Sequence, residues 1–228
     1  MEYFKFGSYN IELNRKMKNK NIYFRVKSTG NITVNCPYHT KNETIMVYLE
    51  QFIKKIETKY DTSALTKLDY QDGGSFRFLG EQYEILYLKS TKNNCLISDD
   101  KLLVYLKESN YENALKVIDK FMKEQALRIF TPRFAELASN FEQIDFLPTL
   151  KIKKMTSKFG VCFYKKASIT LSTLLLHYDY ECLDYVIIHE LAHFVQPNHS
   201  KKFYYLIEIY LPNYKKAEAK LKNLRLTY

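Results

Sequence analysis

The chain has 228 residues, of which 46% are hydrophobic and 15% aromatic, so it can bury a sizeable core and has a globular composition. No apolar run approaches the ~20 residues of a membrane-spanning helix, and the first twenty residues lack the apolar block of a secretion signal, so we expect a cytoplasmic protein with no membrane partner. The formal net charge of +10 keeps nucleic acid open as a partner, although the 35 basic residues are spread along the whole chain.

The first third of the chain is predicted to contain a β-hairpin and one helix. Residues 21–29 and 31–37 alternate apolar and polar side chains on either side of a Thr-Gly turn. Thr40 and Glu43 have capping-box spacing, and apolar residues at helical spacing then continue to about Lys59.

Short strands and then a long helix are predicted in the middle of the chain. After the breaker "DGG", the segments "SFRFLG", "QYEILYL", "NCLIS" and "KLLVYLK" predict a small antiparallel sheet. A helical pattern runs from about Tyr111 to Phe141, and Pro132 is expected to break or kink it. We place a domain boundary near Asn110, between a β-rich region with one helix (1–110) and a second domain (111–228).

The last third combines strands with two helices that carry most of the histidines. "LKIKKM" and "ASITLSTL" read as strands on either side of a "SKFGVC" turn, and helical patterns follow at about Cys182–Gln196 and Ser200–Tyr210. The predicted fold class is therefore α+β. The four cysteines stand far apart with no CxxC pair, so we expect reduced, mostly buried thiols.

"HELAH" places His189 and His193 four residues apart, which puts both imidazoles on one helical face where they can share a metal ion. Zinc accepts neutral imidazole nitrogen, and three protein ligands leave a position for a water whose proton Glu190 would take. Apolar residues surround the motif, so the helix is expected to be buried. Buried ionisable groups need partners, and a metal supplies them.

The third ligand is predicted to be His199. The helix should stop near Gln196 because Pro197 cannot continue it, and Asn198 or Ser200 can cap a next helix that holds His199 turned back toward the first. Two alternatives stay open: a solvated turn histidine, and Glu208 on the following helix as the third ligand.

The sequence resembles the YgjP-like metallopeptidases, zincin-fold proteins distantly related to SprT-type proteases. The resemblance rests on "FGVCF", "ITLS", "LDYVIIHELAHF" and "NHSKKFY" in this order, and on "NIYFRVKSTGNITVNCP" and "FRFLGEQYEIL" further upstream. It implies a zincin-like catalytic domain, with an antiparallel or mixed sheet plus an active-site helix, after a small β-rich region with one helix. The family's metal ligands fall on His189, His193 and His199, and its catalytic glutamate falls on Glu190.

The chain departs from the family pattern at four positions, and none of them removes a ligand: Phe159, Val161, Ser172 and Tyr204. Zincins pair an extended substrate with an edge strand, and "ASITLST" is the candidate strand here. Cys162 is interpreted as a buried thiol, His177 as a surface histidine or a group supporting the site, and Tyr214 as a candidate oxyanion donor.

The predicted function is zinc-dependent hydrolysis of peptide bonds in a peptide or protein substrate, with Zn²⁺ as the cofactor and no nucleotide cofactor. No phosphate-binding loop or nucleophile elbow occurs in the sequence. The alternatives are a protease associated with nucleic acid, as the SprT resemblance would allow, and an interaction module stabilised by zinc. The sequence does not predict an oligomeric state.

Overall fold

The structure is a computed structural model, and it describes residues 2–7, 9–26, 31–59, 65–155, 158–223 and 225–227. The chain forms two compact units, residues 1–64 and 65–228. The elements of the first unit are, in chain order, β1 (Glu2–Phe6), β2 (Tyr9–Lys16), β3 (Tyr23–Val26), β4 (Ile32–Pro37) and α1 (Asn42–Lys59). Those of the second are β5 (Leu65–Lys67), β6 (Ser75–Phe78), β7 (Glu81–Lys89), β8 (Asn94–Ser98), β9 (Lys101–Leu106), α2 (Tyr111–Ser139), β10 (Thr149–Lys153), β11 (Gly160–Phe163), β12 (Ser168–Ser172), α3 (Tyr180–Ala192), α4 (Lys201–Tyr210), α5 (Tyr214–Asn223) and β13 (Arg225–Thr227).

The first unit is a mixed four-stranded sheet packed on one helix. Its strand order is β1-β2-β4-β3, with β2 and β4 parallel in the middle and antiparallel partners outside them. Apolar residues alternate along β2 and β4 and bury one face of the sheet, while α1 contributes Ile45, Leu49 and Ile53 at helical spacing. The predicted antiparallel pairing of β3 with β4 and the helix after it are confirmed, and β1 and β2 are additional strands. The predicted turn at Thr29 and Gly30 lies outside the described residues.

The predicted domain boundary near Asn110 lies inside the second unit. The sheet of residues 75–106 has no separate core, because α2 covers its apolar face. The Phe121 ring of α2 lies 6.5 Å from the Phe76 ring and 6.0 Å from the Phe78 ring. The same buried cluster continues into α3 and α4, so residues on both sides of the predicted boundary share one core.

The sheet formed by β6 to β9 is mixed, which corrects the predicted antiparallel arrangement. Its order is β6-β7-β9-β8, and β7 and β9 are parallel. β8 turns back tightly onto β9 through Asp99, whose φ of 51° lies in the left-handed region that Asp tolerates. β9 therefore lies beside β7 and runs in the same direction, and β8 lies on the outer side of β9.

The long predicted helix is confirmed as α2, which continues through Pro132 without a break. Its start is capped by Asn110, whose side-chain oxygen accepts a hydrogen bond from the Asn113 N–H. The Arg133 guanidinium donates to both carboxylate oxygens of Asp184 at 2.6 Å, and this bidentate pair fixes α2 against α3. Within the described ranges, no helix is long and apolar enough to cross a membrane.

A three-stranded sheet lies beside α3, in the order β10-β12-β11. β12 is buried along its whole length, parallel to β10 and antiparallel to β11. The predicted "SKFGVC" turn instead contributes the edge strand β11, because pairing with β12 orders a segment too short to show alternation. α3 ends at Ala192, before the predicted Gln196, since residues 193–195 form turns ahead of Pro197.

His177 is a core residue of the second unit, so the predicted surface position is wrong. Its Nδ1–H donates to the Arg77 carbonyl oxygen at 2.6 Å, and its Nε2 therefore accepts a hydrogen bond from the Tyr70 hydroxyl at 3.1 Å. Burial lowers the pKa of His177 to about 4; the hydrogen bond to Arg77 opposes this shift, and the charge of Arg77 adds to it.

Replacing His177 with Gln should flatten the pH dependence of the free energy of unfolding between pH 6.5 and about 4. In this window the unfolded wild-type chain binds more protons than the folded one, because the folded-state pKa lies below the ordinary value. Wild-type stability therefore falls as the pH falls, by about 3 kcal/mol from this group. Denaturant unfolding at several pH values measures the effect, and equal slopes for both proteins would contradict it.

Candidate metal centre

Three histidines meet where α3 ends and α4 begins. His189 lies in the last turn of α3, and His193 occupies its C-cap position one helical turn later. His199 directly precedes Ser200, the N-cap residue of α4, whose hydroxyl accepts a hydrogen bond from the Phe203 N–H at 3.4 Å. Of the two predicted caps, Ser200 is the one used, and the turn between the helices brings His199 back to α3.

The nitrogen atoms of these histidines are spaced for one shared ion. One candidate ligand atom from each of His189, His193 and His199 lies within 4.8 Å of the others, and the Nε2 atoms of His189 and His199 are 3.1 Å apart. Two zinc–nitrogen bonds of about 2.1 Å at a tetrahedral angle separate their nitrogens by about 3.4 Å. The His189–His199 separation is close to this value, and the third imidazole lies near enough to complete the donor set for a zinc-sized cation after a small side-chain adjustment.

The hydrogen bonds of the imidazoles are more typical of metal ligands than of histidines with a structural role in the core. His193 donates from Nδ1 to the Gln196 carbonyl oxygen at 3.4 Å, which leaves its Nε2 free as a ligand. The buried Nδ1 of His189 has no hydrogen-bond partner among the described residues. The Nε2 atoms of His189 and His199, 3.1 Å apart, are placed so that both can bind one cation.

Phe203 holds the three imidazoles together, a role that the sequence analysis missed. Its ring centroid lies 4.9 Å from that of His189, 4.8 Å from that of His193 and 4.7 Å from that of His199. Phe203 is fully buried on the apolar face of α4. Its position one helical turn after His199 was the available signal.

Burial favours the neutral form of two histidines of the cluster, His189 and His193. Burial lowers the pKa of His189 to about 3, and the charges of His193 and His199 lower it further. Burial also lowers the pKa of His193, partly opposed by its hydrogen bond to Gln196. Neutral imidazole is the form that binds a metal ion.

Glu190 points from α3 toward the edge strand β11. It is only 6% exposed, and its carboxylate accepts a hydrogen bond from the backbone N–H of Cys162. Burial raises the pKa of Glu190 to about 7, while the Cys162 N–H and the charge of Lys158 act in the opposite direction. A carboxyl group with this pKa can exchange a proton near neutral pH.

Gly160 of β11 is the closest neighbour of this carboxylate. A Cβ atom at position 160 would lie 2.6 Å from Oε1 and 2.7 Å from Cγ of Glu190, closer than side chains pack. Only glycine therefore leaves room for Glu190 in its present position. The sequence offered no direct signal for this contact, because the two residues are thirty positions apart.

A cavity of about 380 Å³ joins the histidines, Glu190 and the edge strand. Its other lining residues are Lys158, Gly160, Val161, Cys162, Tyr164 and Pro197. Glu208, the rival third ligand, is exposed on α4 and lies outside the group of candidate ligand atoms.

The remaining sequence candidates have packing positions. Tyr214 is buried in a stack with Tyr185 and Tyr204, at ring distances of 6.1 Å and 6.0 Å, and does not line the cavity. The ring centroids of Tyr185 and His189 are 5.7 Å apart, so this stack packs against the histidine cluster. Cys162 is half-buried and free, and burial followed by the charge of Glu190 raises its pKa to about 12, so it remains a protonated thiol.

Comparisons with known proteins point to one family. The family model described as YgjP-like, metallopeptidase domain, matches residues 20–224. Among solved structures, the chain is similar to the metallopeptidase zymogen of Pyrococcus abyssi abylysin, with 24% identity over 42% of this chain and 96% of that chain and a TM-score of 0.38. It is also similar to the zymogen of Methanocaldococcus jannaschii jannalysin, with 26% identity over 40% of this chain and 92% of that chain and a TM-score of 0.37. No curated protein matches the chain.

Proposed function

Because the chain belongs to the YgjP-like metallopeptidases, a family of peptide-bond hydrolases, we propose that it uses a zinc ion held by His189, His193 and His199, with Glu190 as general base. The observation that carries this proposal is the convergence of three imidazoles beside a buried carboxylate in one cavity. Three protein ligands are the number that catalytic zinc sites use, which leaves one position for water or substrate.

The ligand set favours zinc over Mg²⁺ and Ca²⁺. Imidazole nitrogen also suits copper, iron and nickel, but harder cations such as Mg²⁺ and Ca²⁺ prefer oxygen ligands that this centre does not offer. When bound, zinc supplies a Lewis acid that polarises the substrate carbonyl and lowers the pKa of a water molecule.

Glu190 performs the proton transfers of the proposed reaction. Its carboxylate accepts the proton of the attacking water and then delivers it to the leaving nitrogen of the cleaved peptide bond. The Cys162 N–H fixes the orientation of the carboxylate, and burial brings its pKa to about 7, so that both steps are accessible near neutral pH. Gly160 leaves the space in which this carboxylate lies.

The substrate is expected to pair with β11 and not with β12. The sequence analysis proposed "ASITLST" as the strand that binds substrate, but this segment forms β12, whose two edges are occupied by β10 and β11. That interpretation is wrong because a central strand has no free main-chain groups along its edges. β11 is the edge strand and lines the cavity, so an extended peptide can add to it through main-chain hydrogen bonds.

Gly160→Ala should lower kcat by about 100-fold while zinc content is retained, because the new methyl group displaces the Glu190 carboxylate and misplacement of about 1 Å costs this much. Peptide cleavage and metal analysis on the same preparation measure the two effects. Activity within a few-fold of wild type would show that Glu190 does not need its present position.

Metal analysis tests the proposed function directly. Protein purified without added metal should carry about one equivalent of zinc and should cleave peptides from a mixed library. His189→Ala should lose most of the zinc and all cleavage, while His39→Ala, which removes an exposed histidine of the first unit, should lose neither. A wild-type protein that binds no zinc after incubation with it would end the proposal.

A further inference from the structure

Two segments that contribute residues to the cavity lining carry charges of one sign only. Residues 146–178 and 191–207, which contain the three-stranded sheet, the turn after α3 and the start of α4, include no Asp or Glu. They carry eight lysines, whereas the whole chain has 35 basic and 25 acidic residues. The lysines are Lys151, Lys153, Lys154, Lys158, Lys165, Lys166, Lys201 and Lys202.

Four of these lysines stand at the cavity itself or beside its lining residues. Lys158 lines the cavity, and the Nζ atom of Lys165 lies 5.9 Å from the ring centroid of Tyr164, which also lines it. Lys201 and Lys202 begin α4 two and three residues after His199. All four are exposed, and none pairs with an Asp or Glu among the described residues.

The acidic residues at the start and middle of α3 do not neutralise this charge. Asp179 and Glu181 both pair with Lys220 of α5. Asp184 is turned to the opposite side, where it pairs with Arg133 of α2. The lysines of the cavity therefore face solvent with Glu190 as the one acidic group lining it among the described residues.

We propose that this cleft selects polypeptide segments with acidic side chains next to the scissile bond, and that Lys158 is the main specificity-determining residue. The inference rests on the proposed hydrolase function. Unpaired ammonium groups around a cleft raise the local concentration of anionic segments and favour their bound form. Lys158 contributes most because it alone among the four lines the cavity that contains Glu190.

A polypeptide fits this surface better than a nucleic acid does. The edge strand β11 offers main-chain N–H and C=O groups at the spacing of an extended peptide, and a sugar-phosphate chain has no matching groups. Lys158 and Lys165 lie two residues before and two residues after β11, so main-chain pairing and charge attraction can act together on one bound segment.

The effect should be moderate and sensitive to salt. One exposed charge pair is worth about two- to fivefold in binding, so several lysines acting together should give about tenfold. Ions screen such interactions over about 10 Å at 0.1 M salt, so the preference should shrink as ionic strength rises.

Two matched peptide libraries test the proposal, one with a Glu and the other with a Gln at each position around the scissile bond. Zinc-loaded wild type should show about tenfold higher kcat/KM on the Glu library at low salt, and a smaller preference at about 0.5 M NaCl. Lys158→Gln should reduce the ratio to a few-fold. Lys92→Gln, which removes the same charge from the turn between β7 and β8, should keep it. Any effect of Lys158 on Glu190 changes kcat/KM equally for both libraries, so it does not change the ratio of the two values.

Binding to the Glu190→Gln variant separates this inference from the proposed function. The best Glu peptide should bind more tightly than its Gln counterpart and should not be displaced by a single-stranded oligonucleotide of equal charge. If wild type cleaves both libraries equally, selection by charge is wrong while the peptidase function stands. If nothing is cleaved at full zinc content, the proposed peptidase function is wrong. Equal binding of the Glu and Gln peptides to the Glu190→Gln variant, or displacement of the Glu peptide by the oligonucleotide, would contradict selection by charge.

Discussion

Glu190→Gln should abolish peptide hydrolysis and leave the zinc content and the fold unchanged. Glutamine nearly matches glutamate in shape and can still occupy the space beside Gly160, but its amide cannot accept the proton of the attacking water. General-base catalysis contributes ~10²- to 10⁴-fold, so kcat should fall by at least this much. Cleavage of the peptide library by wild type and variant at equal zinc content measures the loss.

The matched control is Glu208→Gln, which makes the same change on the exposed side of α4 and should keep full activity. If wild type cleaves and Glu190→Gln is within a few-fold of it, Glu190 is not the base. If neither protein cleaves any peptide, an interaction module stabilised by zinc becomes the better explanation, and a fourth protein ligand in a zinc-bound structure would support it.

The local parts of this site could be predicted from the sequence because their signals are short-range. The four-residue spacing of His189 and His193 fixes both on one helical face, and Pro197 forces the chain to turn. Ser200 then begins a new helix with a side-chain cap, which sets the direction of the chain at His199. The structure brings the three histidines together along this route.

The contacts that complete the site could not be predicted, because they join residues far apart in the chain. β11 has four residues and no apolar alternation, so only its pairing with β12 makes it a strand. The approach of Gly160 to Glu190 and the burial of His177 between Tyr70 and Arg77 depend on tertiary packing. The parallel pairing of β7 and β9 was missed for the same reason.

The proposed metal ligands and the partners of Glu190 come from two kinds of element, helices and an edge strand. The proposed metal ligands come from α3, its C-cap and the residue before the N-cap of α4, and all three pack around Phe203. The partners of Glu190 come from β11, an edge strand that lines the cavity. A catalytic centre held by helices and a strand is positioned more precisely than one built from loops alone.

His199→Ala should lower zinc affinity by more than about 100-fold, whereas Glu208→Ala should leave it unchanged, since even the loss of a group supporting a ligand costs 10- to 100-fold. The reason is geometric: the Nε2 atom of His199 lies 3.1 Å from that of His189, and Glu208 lies outside the cluster of candidate ligand atoms. His199 is exposed, so its removal should not open a core cavity, and circular dichroism should show an intact fold.

Competition with a chromogenic chelator measures both affinities on the same scale. The residual site in His199→Ala has two nitrogen ligands, so its zinc should exchange readily and its peptidase activity should fall with the metal content. A loss of zinc in Glu208→Ala alone would instead assign the centre to the class with two histidines and one glutamate. That result would require a different placement of α4, because Glu208 is exposed in the last turn of this helix and lies outside the cluster of candidate ligand atoms.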